Sequence, residues 1–155
     1  MTITLTPIGT VSHGKTTTIR LDKELAAGLE GLDGFGHILV LWHAHENPPW
    51  DPENLTVSEP YRLGPERLGL LATRSAYRPN PICVSVAAVI GVDAQKGVIE
   101  VPWIDAEDGS PVLDVKPYHP SADRVRDVTL PDWCSHWPQS LEESGDFAWD
   151  EEFNF

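Results

Sequence analysis

Three short stretches carry residue types and spacings able to do chemistry. The first is LATRSAYRPNPICVSVAAV, Leu71 to Val89. It sets Arg74, Ser75, Arg78 and Asn80 directly before an apolar run containing Val84, Val86 and Val89. Pro79 and Pro81 fix their own φ and push Arg78 and Asn80 out of the α region. The entry to the strand is therefore stiff and extended. Stiffness lowers the entropic cost of holding polar groups in one geometry, and arginines grip carboxylate or phosphate oxygens in pairs of bonds. The same arginines would also serve as partners for the chain's own acids. The second stretch is DGSPVLDVKPY, Asp108 to Tyr118. Asp114 and Lys116 lie two apart on a predicted strand and so project from one face. They form either a surface ion pair, worth little, or an acid–base pair held beside a substrate. The third is HAHE, His43 to Glu46. His-x-His occurs as a metal-ligand pattern, with His37 or His119 available as a third ligand. A packed or hydrogen-bonded histidine is the commoner fate, and no metal is expected.

These groups must be positioned by the rest of the chain. The 155 residues suit one domain, able to bury roughly 70% of its unfolded surface. Strand signals dominate. Ile3 and Leu5 alternate with threonines, and β-branched residues crowd Thr16 to Leu21. His37 to His45, Val84 to Val92, Val98 to Val101 and Val112 to Val115 read as four more strands. Asp93 to Gly97 and Glu107 to Gly109 read as turns, with Gly97 able to take positive φ. Only Lys23 to Leu32 has a helical spacing, with Asp22 as its N-cap and Gly31 or Gly34 as its stop. Asn47 to Pro60, rich in proline and acid, reads as a loop. The fold class is all-β: a small barrel spanning 1–129 with one short helix, followed by an acidic aromatic tail, 130–155. The tail carries Trp133, Trp137, Phe147, Trp149, Phe153 and Phe155. It is expected to dock on the barrel or on a partner subunit, the alternative being disorder.

Composition narrows the classes. Cys83 and Cys134 are the only cysteines and have no C-x-x-C spacing, which argues against a zinc ribbon or a disulfide scaffold. The N-terminal MTITLTPIGTV has no basic region, so no signal peptide is expected. The longest apolar run, Ile38 to Trp42, is too short for a bilayer. A cytoplasmic location without membrane association is the expectation. Lys plus Arg number 11 against 24 Asp plus Glu, a net charge of −13. Nucleic-acid binding gains from basic surface, which here would have to be local: Arg62, Arg67, Arg74 and Arg78 are the candidates.

Read together, GLDGFGHILVLWHAHE, GLLATRSAYRPNPICVSV and DAEDGSPVLDVKPYHPSAD resemble the TsaA-like (TrmO) family over about Leu5 to Asp123. The resemblance implies a small β-barrel that binds S-adenosylmethionine as a homodimer, with the cofactor near the subunit interface. The family activity it implies is N6-methylation of threonylcarbamoyladenosine beside the tRNA anticodon. Residue by residue, it implies cofactor contacts from His45, Glu46, Arg74, Val84, Trp103, Ile104 and Asp105. It implies catalytic or substrate roles for Asp114, Lys116 and Tyr118; Arg78 and Asn80 are assigned to the substrate. Glu46, Cys83, Gly36 and Ala76 depart from the family's Gln, Gly, Ser and Pro, and the segment from Ser12 to Gly28 is short. A small-molecule methyl acceptor, or a non-catalytic barrel binding a nucleotide-like ligand, are the other readings the residues leave open.

Overall fold

A computed structural model describes residues 2–154, so Phe155 of the aromatic tail lies outside the described residues. The chain groups into two compact units: one holds residues up to Pro49 together with Asn80–Arg124, the other holds Trp50–Pro79 together with the chain from Val125 on.

The first unit is built on seven antiparallel strands. These are β1 (Gly9–His13), β2 (Thr17–Leu21), β3 (His37–His43), β6 (Ile82–Ala88), β7 (Gly91–Asp93), β8 (Val98–Val101) and β9 (Pro111–Pro117). Their order across the sheet is β6-β3-β9-β1-β2-β8-β7. Laid flat, six inter-strand spacings would hold β6 and β7 roughly 29 Å apart. Yet only Val89 and Ile90 join them, and three residue steps reach only about 10 Å. The sheet therefore curls until its two edges meet through the chain. Val89 N still donates to Gly36 O (2.9 Å), whereas Ile90 N already donates to Glu100 O (2.8 Å). The expected barrel is thus a curled sheet whose edges are linked covalently, without a closing ladder. The predicted strand Val84 to Val92 is two strands for the same reason: it changes neighbour at 89–90.

Alternation drives the burial. Along β3, Ile38, Val40 and Trp42 point inward while the residues between them are half-buried. Val11, Ile19, Ile99, Val101 and Val112 complete the core, each no more than 1% exposed. Burying such a side chain stabilises by about 1.5–3 kcal/mol. Glycine is required at Gly9, where a Cβ would overlap the Arg20 carbonyl across the β1–β2 ladder. It is favoured at Gly97, which takes φ +67° in the β7–β8 turn as expected.

Some elements differ from expectation. Ile3 and Leu5 stay outside the sheet and are exposed. β3 stops at His43, because the chain turns at 45–47. The helical segment is a 3₁₀ helix, Lys23–Leu29. Its buried residues, Ala26 and Leu29, are three apart, the spacing that eclipses in a 3₁₀ turn. Asp22 occupies the cap position without a side-chain cap bond.

The second unit contains the hairpin β4 (Thr56–Ser58) and β5 (Arg67–Gly69), part of it inside the stretch expected to be loop. The tail docks on this segment. Its short helices α2 (Leu141–Ser144) and α3 (Trp149–Glu152) follow α1 (Pro120–Asp123) of the first unit. Tyr61 stacks on Trp133 (5.1 Å) and meets Phe153 (5.8 Å), and Trp137 and Trp149 meet edge to face (5.5 Å). Tyr61 and Phe153 also form a β-bridge, and Arg62 N donates to Glu152 O (2.9 Å). Aromatic burial thus offsets the ordering cost of an acidic segment.

Candidate active site

β3 runs between β6 and β9, and its register sets the face that carries the Asp114–Lys116 ion pair. Leu41 opposes Val84 on β6 and Asp114 on β9, and Leu39 opposes Val86 and Lys116. These residues share the face opposite the core. The register slips between Leu41 and Trp42, so Leu113 has no partner on β3. This bulge lets Val112 point inward while Asp114 points outward two residues later. Lys116 Nζ lies 2.5 Å from Asp114 Oδ2, with both side chains about half exposed. Val115 N donates to Asp114 Oδ1 (2.9 Å). Both carboxylate oxygens are therefore oriented. Tyr118 directly follows β9: its N–H donates to His37 O (2.9 Å) and its ring meets the His37 imidazole edge-on.

The second part of the site is the crossing from β8 to β9, residues 102–110. It buries Ile104 (1% exposed) and leaves the Trp103 indole 65% exposed, with Asp105 also at the surface. Ser110, fully buried, closes the crossing: its Oγ lies 3.3 Å from His45 Nδ1 and its carbonyl accepts from Val11 N. His45 therefore meets the crossing at its last residue, Ser110. His45 and Glu46 are exposed just beyond β3. Ser110 was missing from the residues singled out in the sequence, although it sits inside the DGSPVLD stretch. His13 was missing too: it reaches the same crossing at Ala106 and Asp108, 93 and 95 positions away. Nothing in a single sequence marks so distant a pairing.

The Arg-rich entry is not the extended run its prolines suggest: it bends at 73, 76 and 78–80, where side chains close local turns. Thr73 Oγ1 donates to Leu70 O (2.8 Å), and Tyr77 N donates to Ser75 Oγ (3.2 Å). Arg78 Nη1 reaches Thr73 O and Ser75 O, both at 3.4 Å, so Arg78 braces its own loop. Arg74 is exposed. Burial pushes the Tyr61 hydroxyl up from its ordinary pKa, and the Arg74 backbone and charge offset this only in part. Arg74 and Arg78 belong to the second unit; His45, Glu46, Asn80, Val84, Trp103, Ile104, Asp105, Asp114, Lys116 and Tyr118 belong to the first. Asn80 is exposed, and its carbonyl accepts from Ile82 N (2.7 Å).

Two of the four arginines are engaged by side chains of the second unit. Arg62 Nη2 lies 3.5 Å from Glu152 Oε2, and Arg67 Nε donates to Thr56 Oγ1 (3.0 Å). Glu152, 1% exposed, also meets His136 Nε2 at 2.9 Å. Burial pushes its carboxyl up, but the His136 bond, the Trp137 indole and the nearby charges outweigh it and hold the carboxyl below its ordinary value. Glu152 Oε1 and Trp137 Nε1 themselves do not close to a hydrogen bond. Among the described residues, no three His, Cys, Asp or Glu side chains gather as metal ligands, so His43 and His45 acquire no third partner.

Residues 5–124 match the tRNA-methyltransferase O N-terminal domain. The chain belongs to that family. It is 34% identical over 129 residues to a probable S-adenosyl-L-methionine-binding protein of Pyrococcus abyssi, covering 83% of this chain and 66% of that one. It is 36% identical over 119 residues to the tRNA (adenine(37)-N6)-methyltransferase of Escherichia coli, covering 74% of this chain and 47% of that one. A crystal structure of TrmO from Pseudomonas aeruginosa superposes with a TM-score of 0.64 at 30% identity, over 83% of this chain and 62% of that one. This TrmO-family chain thus spans between about half and two thirds of the length of these relatives. No helix among the described residues is long and apolar enough to cross a membrane.

Proposed function

We propose that this chain is an S-adenosylmethionine-dependent methyltransferase acting on N6 of adenosine in tRNA, with the threonylcarbamoyl form as its acceptor. The observation that carries this reading is the Asp114–Lys116 pair, set on one face in register with Val84, inside the family match. The residues fit the cofactor's chemistry. An exposed indole at Trp103 suits the face of an adenine ring, and the carboxylates of Glu46 and Asp105 suit its cationic groups. When bound, S-adenosylmethionine supplies an electrophilic methyl group. The chain's task is then to align the acceptor and to take up the proton that the attacking nitrogen loses. Asp114 is the proton acceptor, Lys116 holds it, and Tyr118 borders the pair; Asn80 serves the acceptor.

A homodimer completes the reading. Ile82 and Val84 on the edge strand β6 are 39% and 42% exposed, an apolar edge that a second copy would cover. One observation favours a small-molecule acceptor instead: the net charge of −13, with Arg62 already committed to Glu152. Binding of tRNA measured at rising salt separates the two. A tRNA enzyme loses affinity steeply as salt rises, whereas a small-molecule enzyme shows no saturable tRNA binding at any salt concentration.

A further inference from the structure

β8 and β9 are consecutive in the chain, yet β1 and β2 lie between them in the sheet. The segment 102–110 must therefore pass over one end of the β1–β2 hairpin. That end is the hairpin's tip, because Thr17 pairs with Val101 where the crossing begins and Thr10 pairs with Pro111 where it ends. His13, the last residue of β1, lies under it. Its backbone N–H donates to Asp108 Oδ1 (2.8 Å) and its Nε2 lies 2.5 Å from Ala106 O. A carbonyl only accepts, so Nε2 carries the proton. In the neutral ring Nδ1 is then the acceptor for the Thr17 hydroxyl at 3.0 Å, and Thr17 is buried. Beside these bonds, Gly109 N donates to Val11 O and Val11 N to Ser110 O. Ser110 in turn meets His45.

We infer that His13 is a positioning residue for the cofactor-binding loop: as the Nε2–H tautomer it clasps residues 106–108 onto the hairpin tip and so fixes Trp103–Asp105 and, through Ser110, His45. This rests on the reading of those residues as the cofactor wall. Neither ring nitrogen touches the reacting groups, so the effect falls on cofactor affinity and not on the chemical step.

The test uses the full chain, His13→Ala and His13→Gln, since a glutamine amide N–H can still donate to Ala106 O. Amide hydrogen exchange at Gly109 and Ser110 reads the clasp, and calorimetric titration with S-adenosylmethionine reads the consequence. The expected result is exchange and Kd both raised about tenfold in His13→Ala, the scale of one or two net hydrogen bonds, with His13→Gln near wild type. Imidazole nitrogen shifts should report the Nε2–H tautomer in the wild type. Unchanged exchange in His13→Ala overturns the clasp. Faster exchange with unchanged Kd overturns the positioning role. If the wild type itself does not bind the cofactor, the cofactor reading and the positioning role fall together, and the exchange data still decide whether the clasp exists.

Discussion

Val84 and Asp114 flank Leu41 in a single row across β6, β3 and β9. Two strand spacings, about 10 Å, separate their backbones, so a residue assigned to the cofactor and one assigned to proton transfer address the same face. Asp114→Asn removes the charge while keeping the shape. It is expected to lower turnover by about 10²–10⁴-fold with cofactor affinity little changed, as read by single-turnover kinetics beside calorimetry. Equal losses in both would move Asp114 from chemistry to binding.

Lys116 is expected to matter less. Its ammonium orients Asp114 at 2.5 Å but is half exposed, and exposed pairs contribute about 0.2–1 kcal/mol to stability. Lys116→Met should leave the unfolding midpoint in urea nearly unchanged while reducing turnover.

The core prediction is independent of function. Ile38 is fully buried on β3, between β6 and β9. Ile38→Ala should cost about 2–5 kcal/mol in chemical denaturation.

Glu152 ties the tail to Arg62 and, within the tail, meets His136, with Cys134, its own thiol pushed up by burial, close enough to feel the charge. The folded carboxyl titrates below the ordinary 4.5. Its contribution is therefore fully present above that value and is lost as pH falls through the folded value. Tryptophan fluorescence from Trp133, Trp137 and Trp149 should change over that acid range, and Glu152→Gln should remove the acid-dependent component. Glu152→Ala should cost about 1–3 kcal/mol, since Arg62 is half exposed and can rehydrate.

Local patterns were the legible part of this molecule. Val98–Val101, the Gly97 turn and the shared face of Asp114 and Lys116 follow from alternation and turn chemistry, which act within a few residues. The curl of the sheet was implied only once β6 and β7 were known to sit at opposite edges, a non-local fact. The aromatic tail showed an excess of apolar area but not its address: Tyr61, on which it packs, is about 70 to 90 residues away. Ser110 carried a hint in its motif. His13 carried none, because its role depends on the crossing that passes over it.

The most direct test of the central claim is transfer of a labelled methyl group from S-adenosylmethionine to tRNA, followed by nucleoside analysis. The expected result is label on N6 of the threonylcarbamoyl-modified adenosine, strongly reduced in Asp114→Asn. A protein that binds the cofactor but labels no tRNA, modified or unmodified, would contradict it and leave a small-molecule acceptor or a binding barrel in its place.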